Sequence, residues 1–289
     1  MKELGLIVNL RKPEAVKMAK KLLDWGNEHD CPFLLPHQEA SALTTIGLDD
    51  DLWLKSVKIA IVIGGDGTFL RAARYVMGTN IILHGVNMGH LGFLASTRPD
   101  EIEHDLDNII NDKFDVIDRR VLKSVLYHDE QATHKIYALN DIVLITNAIA
   151  RLVHIEIKFN NKFFCILPAD GVIVATPTGS TAYALSAGGS IIPPHMDAMI
   201  LAPLCAHTLY SRPILSSEQD TITLIPRGIS RDLILTQDGQ AGYEIFPNDR
   251  IEIRLSKSKK IRTLNLPGKS FFDIVREKLG WAGQDYNRD

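Results

Sequence analysis

KIAIVIGGDGTFLRAARYVM, residues Lys58–Met77, is the stretch from which the fold is read. Lys58–Ile63 is a short apolar run, the pattern of a strand buried on both faces. Glycines at 64, 65 and 67 interrupt it, and Phe69, Leu70, Ala73, Val76 and Met77 then recur on one face of a helix. Outward from this unit the same alternation continues. Leu4–Leu10 reads as a strand, and Pro13 opens a helix with Val16, Ala19, Leu22 and Leu23 at helical spacing. Cys31–Leu35 and Asn80–Val86 read as further strands. Strands alternating with helices need crossover connections, which predicts an α/β domain with a mostly parallel sheet over residues 1–120.

From about Val121 the pattern becomes strand after strand. His154–Phe159 alternates, Asn160-Asn161 can form a two-residue turn, and Lys162–Ile166 returns. Thr221–Ile225, Asp232–Thr236 and Arg250–Leu255 extend the series, so residues 121–267 are predicted to be an antiparallel all-β domain. Helical spacing reappears over Ser270–Leu279 through Phe271, Ile274, Val275 and Lys278.

At 289 residues, 45% apolar and 23% charged, the chain has material for two packed cores and none of the marks of disorder. A net charge of −3 gives no electrostatic footprint for nucleic acid or an anionic membrane. No apolar run approaches the ~20 residues of a membrane-spanning helix, and MKELGLIVNLRK is too short in apolar residues for a signal peptide. Cys31, Cys165 and Cys205 are scattered, and the ten histidines lack metal-binding spacing. A cytoplasmic protein is expected, without membrane or nucleic-acid partners.

The Gly64-Gly65-Asp66-Gly67-Thr68 loop joins a strand to a helix, where glycine backbone amides and the helix N-terminus can approach phosphate. It is neither a Walker loop nor a G-x-G-x-x-G fingerprint. Asp66 is the odd element, because a carboxylate repels phosphate unless it serves a proton, a metal ion or a sugar hydroxyl; otherwise it caps the helix of a tight turn. Thr176-Pro177-Thr178-Gly179-Ser180-Thr181 follows the apolar strand Val172–Ala175 and places four hydroxyls at a helix start, more than one cap requires. Asn140-Asp141 interrupts an apolar strand, Tyr137–Ile145, and taken alone reads as a water-facing position on an edge strand. Asp170-Gly171 alone reads as a turn.

In this order and at these separations, GGDGT, Asn140-Asp141 and the TPTGSTAYALSAGG run closely resemble the motif set of bacterial NAD kinases, and the resemblance extends to KLGW at Lys278–Trp281. GGDGT alone is shared with lipid kinases of the diacylglycerol and sphingosine type; the Thr/Ser/Gly run is far more specific. The resemblance implies an α/β domain, a β domain and a C-terminal segment, 268–289, returning to the first domain. It implies transfer of the γ-phosphoryl of ATP to the 2′-hydroxyl of the adenosine ribose of NAD, with Asp66 as proton acceptor and Mg²⁺ carried by the phosphates. Contacts to the dinucleotide are implied for Asp66, Gly67, Arg71, Asn140, Asp141, Arg151, Asp170, Thr181, Ala182, Tyr183, Ala184, Leu185, Ser186 and Gln240. It also implies a homo-oligomer, dimer or tetramer, whose sites are shared between subunits. The chain departs from the family in Asp141, where Glu is usual, and in Pro168, where many members carry a basic residue. The competing readings are a GGDGT-type lipid kinase and a non-catalytic NAD-binding regulator.

Overall fold

The computed structural model describes residues 3–146, 152–228, 233–268 and 270–281. They form two compact units, residues 1–118 with 261–289 and residues 119–260.

In the first unit the order is β1 (Leu4–Val8), α1 (Pro13–Glu28), β2 (Phe33–Leu34), α2 (His37–Leu43), α3 (Asp50–Ser56), β3 (Ile59–Gly64), α4 (Asp66–Tyr75), β4 (Ile82–Asn87) and α5 (Ile102–Ile110). The strands lie in the order β2-β1-β3-β4, all parallel, and β3 runs beside both β1 and β4. Every residue of β1 and β3 is buried, as a parallel strand covered on both faces requires. Pro13 does occupy the start of α1, whose Ala15, Ala19 and Leu22 enter a core with Leu6, Ile61, Ile63 and Leu106. Helices α2, α3 and α5 are additions to the pattern read from sequence.

The second unit contains β5 (Asp115–His128, entering from the first unit), β6 (Gln131–Ala138), β7 (Asp141–Thr146), β8 (Val153–Phe159), β9 (Lys162–Ala169) and β10 (Gly171–Ala175). After a 3-10 turn at Thr178–Thr181 and the single-turn α6 (Tyr183–Ser186) come β11 (Ala198–Leu204), β12 (Ile214–Ser217), β13 (Ile222–Arg227), β14 (Leu233–Gln237), β15 (Ala241–Ile245) and β16 (Arg250–Asn265). One antiparallel sheet runs β12-β11-β10-β7-β14-β15; the other strands pair antiparallel as β16-β13-β8-β9, with β5 beside β16 and β6. Side chains alternate across β7 and β10: Ile142, Leu144, Val172 and Val174 face the large core, and Val143, Ile173 and Ala175 pack with Ala184 and Ile192 on the other side. The Asn160-Asn161 turn is present, with φ of 52° and 64°, the left-handed pair that a two-residue hairpin turn demands and Asn tolerates.

The end of β16 returns the chain to the first unit, where Arg262 and Thr263 pair parallel with Ile82 and Leu83. The C-terminal helix α7 (Phe271–Leu279) follows in that unit. Ser270 and Asp273 close a capping box at its start, Gly280 ends it at a φ of 65°, and Val275 is buried.

Candidate active site

In the first unit, GGDGT sits at the carboxyl end of β3, with Gly65 as the residue before α4 and Asp66 as its first. That edge of an open α/β sheet is where ligands bind. The helix-cap reading of Asp66 fails, since α4 has no side-chain cap. Its carboxylate turns instead to three successive amides beyond β4. Phe93 N–H donates to Oδ2 at 3.0 Å, and Leu94 and Ala95 N–H donate to Oδ1 at 3.1 and 3.0 Å. Consecutive amides wrapped round an anion form a nest, and here they fix the carboxylate at the helix start. Oδ1 accepts two of these bonds and Oδ2 one, so Oδ2 keeps the greater capacity for a further donor.

The neighbouring glycines are open. A Cβ at Gly65 or Gly67 would meet nothing within 4 Å, so packing does not demand glycine there. Open space beside bare backbone at a helix N-terminus suits an anion approaching the amides. Arg71, one and a half turns further along α4, is committed elsewhere: its guanidinium donates to Val8 O at 2.9 Å and to Glu39 Oε1 at 3.1 and 3.2 Å. Glu39 is buried, so Arg71 neutralises an interior carboxylate and pins α4 to β1 and α2.

In the second unit, Asn140-Asp141 lies neither inside one strand nor at a sheet edge. The expected strand Tyr137–Ile145 breaks into β6 and β7, and β7 runs in mid-sheet between β10 and β14. Both side chains are buried, which overturns the water-facing reading; the strands that cover this point come from distant sequence. Asp238, in the turn after β14, makes the break. Its carboxylate accepts from the amides of Leu139 at 3.1 Å, Asn140 at 2.7 Å and Asp141 at 3.1 Å. Burial, and then the charge of Asp238, push the Asp141 carboxyl up from 3.8 to about 7. Among the described residues Asn140 Oδ1 is buried with no hydrogen-bond partner, an expensive condition for a side-chain amide.

The Thr/Ser/Gly run packs directly on this pair. Thr176 N–H donates to Asn140 O at 2.9 Å, and Thr176 Oγ1 donates to Leu139 O at 2.6 Å and accepts from Gly179 N–H at 3.0 Å. A Cβ on Gly179 would overlap the Asn140 carbonyl, so glycine here permits close approach. Ser180 Oγ donates to Pro177 O at 2.6 Å and accepts from Ile192 N–H at 2.9 Å, while Thr181 Oγ1 donates to Thr178 O at 3.2 Å. The protons of Thr176, Ser180 and Thr181 thus serve the loop's own shape. The run forms a 3-10 turn and one α turn rather than a side-chain-capped helix, and Gly188, at a φ of 80°, helps close it. Ala184 is buried beneath, Thr181, Ala182 and Leu185 are half-buried, and Tyr183 and Ser186 are exposed.

Asp170 is half-buried between β9 and β10, where its hydrogen bond pushes the Cys205 thiol up from its ordinary value. Gln240 is exposed in the β14–β15 turn, and Arg151 lies outside the described residues. Sequence reasoning missed Asp238 and the Gly92–Ala95 segment. Asp238-Gly239 shows only as a turn, and LGFLA shows only as a glycine in an apolar run.

A glycine loop at a parallel strand's end and a buried polar pair under a hydroxyl-rich loop define a nucleotide-handling protein with an α/β and a β unit. The fold is also that of yeast NADH kinase complexed with NADH, at a TM-score of 0.89 and 21% identity over 100% of this chain and 90% of that one. An NAD kinase from Archaeoglobus fulgidus in complex with ATP aligns at a TM-score of 0.75 and 21% identity, over 98% of this chain and 100% of the other. The ATP-NAD kinase N-terminal domain family matches residues 50–114, and the ATP-NAD kinase C-terminal domain family matches residues 139–265. The NAD kinase of Thermoanaerobacter sp. (strain X514) is 37% identical over 285 residues, covering 96% of this chain and 99% of that protein. The chain belongs to the NAD kinase family and is a phosphotransferase. Likeness over nearly the whole length, rather than GGDGT alone, sets aside the lipid-kinase reading.

Proposed function

We propose that Asp66 is the proton acceptor of an ATP-dependent 2′-phosphorylation of NAD. The observation that carries this is the Asp66 carboxylate gripped by three amides at the head of α4, beside glycines open to a ligand. The 2′-hydroxyl oxygen of the adenosine ribose attacks the γ-phosphorus, the bond from γ-phosphorus to the β,γ-bridging oxygen breaks, and ADP leaves. The hydroxyl proton passes to Asp66 Oδ2, the less occupied oxygen, and then to solvent. A positioned base of this kind contributes ~10²–10⁴ in rate, and the rest of phosphoryl transfer is placement and charge stabilisation.

Gly67 backbone offers close approach, and Arg71 acts by holding α4 in place. The unpartnered Asn140 Oδ1 accepts from the nucleoside, with Asp141 beside it. Arg151, Asp170, Thr181–Ser186 and Gln240 complete the dinucleotide contacts that the family resemblance implies. Among the described residues no three His, Cys, Asp or Glu side chains converge as metal ligands. The Mg²⁺ of the reaction would arrive with the triphosphate and supply neutralisation of its charge. We further take the enzyme as a cytoplasmic homo-oligomer with shared sites. The deciding assay incubates pure protein with ATP, Mg²⁺ and NAD and quantifies NADP with an NADP-specific dehydrogenase; no NADP overturns the reading.

A further inference from the structure

We propose that Lys278, on the C-terminal helix, is a positioning residue for Asp66, acting through the segment Leu91–Ala95. The proposal rests on Asp66 being the proton acceptor. The segment that supplies the three amides is anchored in the core at both feet. Asn87 N–H donates to Thr97 O at 2.8 Å, Thr97 N–H donates to Gly85 O at 3.2 Å, and Asn87 Nδ2 donates to Ala95 O at 3.3 Å. Behind Thr97, its hydroxyl donates to Asp105 Oδ2 at 2.7 Å, and His84 Nε2 lies 3.0 Å from the same oxygen, all three side chains buried.

The tip is different. Gly89 and His90 are exposed and Leu91 is half-buried, so core packing does not hold this part. Lys278 does. Its ammonium donates to Leu91 O at 2.7 Å and lies 4.8 Å from the Phe93 ring centroid, gripping the chain on both sides of Gly92. The preceding residue, Glu277, pairs with Arg98 beyond the far foot. The helix that carries both is itself well made, with its capping box and the buried Val275. Tolerance inside the clamp is small, because a Cβ on Gly92 would overlap Asp66 Oδ1. A shift at the tip is therefore passed on to the carboxylate through the Phe93 amide.

The bland alternative is a surface helix whose exposed lysine finds a carbonyl by chance. Exposed pairs of this kind contribute little to global stability. The two readings separate in kinetics rather than in melting. Lys278→Met is expected to lower kcat about five- to tenfold, part of the ~10²-fold that a 1 Å misplacement can bring. The melting temperature and the KM for ATP should stay near wild type, and Lys278→Arg should recover most of the kcat. Gly92→Ala, if folded, should reduce kcat further, since it displaces the carboxylate directly. In an Asp66→Asn background, Lys278→Met should have no additional effect. A kcat within twofold of wild type for Lys278→Met, or an equal loss in both backgrounds, overturns the latch while leaving Asp66 as base. A near-wild-type Asp66→Asn overturns the base assignment, and the proposal with it.

Discussion

The Asp238 carboxylate accepts a 2.7 Å hydrogen bond from the backbone amide of Asn140, 98 residues earlier in the chain. The same carboxylate takes the amides on either side, and the Asp238 amide donates back to Asp141 O at 3.0 Å. A hairpin turn thereby ends one strand and starts the next, and two polar side chains stay buried at the junction. Burial, and then the charge of Asp238 beside it, disfavour ionisation of Asp141, which is why its carboxyl is raised.

That elevation makes folding stability depend on pH. A carboxyl whose folded pKa lies above its unfolded value binds more protons in the native state between the two. Stability from this group is therefore fully present on the acid side and is lost as pH rises from 3.8 to about 7. Relative to Asp141→Asn, the wild type should lose stability across this window, at up to about 1.4 kcal/mol per pH unit from one group. Urea unfolding of both proteins at several pH values checks it; parallel curves would refute the shift.

Asn140→Ala should weaken NAD binding more than ATP binding, by ~1–3 kcal/mol, the cost of losing a buried partner. Titration calorimetry with each nucleotide separates the two. Equal losses would point to damage at the strand junction instead.

Asp66→Asn keeps the side chain's size and removes its basicity, so kcat should fall at least ~10²-fold with an unchanged melting curve. Activity within a few-fold of wild type would remove Asp66 from the role of base.

Gly67→Ala should move stability and activity in opposite directions. The site is helical and open, so alanine should leave stability unchanged or raise it by about 0.5–1 kcal/mol. The added methyl occupies the space proposed for the nucleotide, and kcat/KM should fall at least about tenfold, a loss of ~1.4 kcal/mol in transition-state binding. Full activity would show that nothing approaches this backbone.

The proposed sharing of sites between subunits predicts complementation. Asp66→Ala and Asp170→Ala, each nearly inactive alone, should regain activity when dissociated and reassociated together, because some sites then carry both carboxylates. Mixed oligomers without recovered activity would place both residues in one chain's site.

Strand, glycine loop and helix at Lys58–Met77 were legible in the sequence because each signal is local: apolar run, chain-breaking glycines, helical period. The Asn160-Asn161 turn and the helix after Ser270 were legible for the same reason, since neighbours in sequence decide turn geometry and helical faces. Asn140-Asp141 was not. Its burial depends on β10 and β14 arriving on either side, and its backbone partners depend on Asp238. The hydroxyls of the Thr/Ser/Gly run were visible, but their commitment to carbonyls at 139, 177 and 178 was not. Nor could spacing show that Asp66 is held by the amides of Phe93, Leu94 and Ala95, with Lys278 closing the segment from the far end of the chain. By itself the sequence determined the change from alternating strands and helices to successive strands, and the residue types at the turns and ends of those elements, which short-range sterics and hydrophobic period dictate. The tertiary structure decided which polar groups are buried, what satisfies them and which carboxylate is fixed in place, because those outcomes depend on backbone amides brought together by packing.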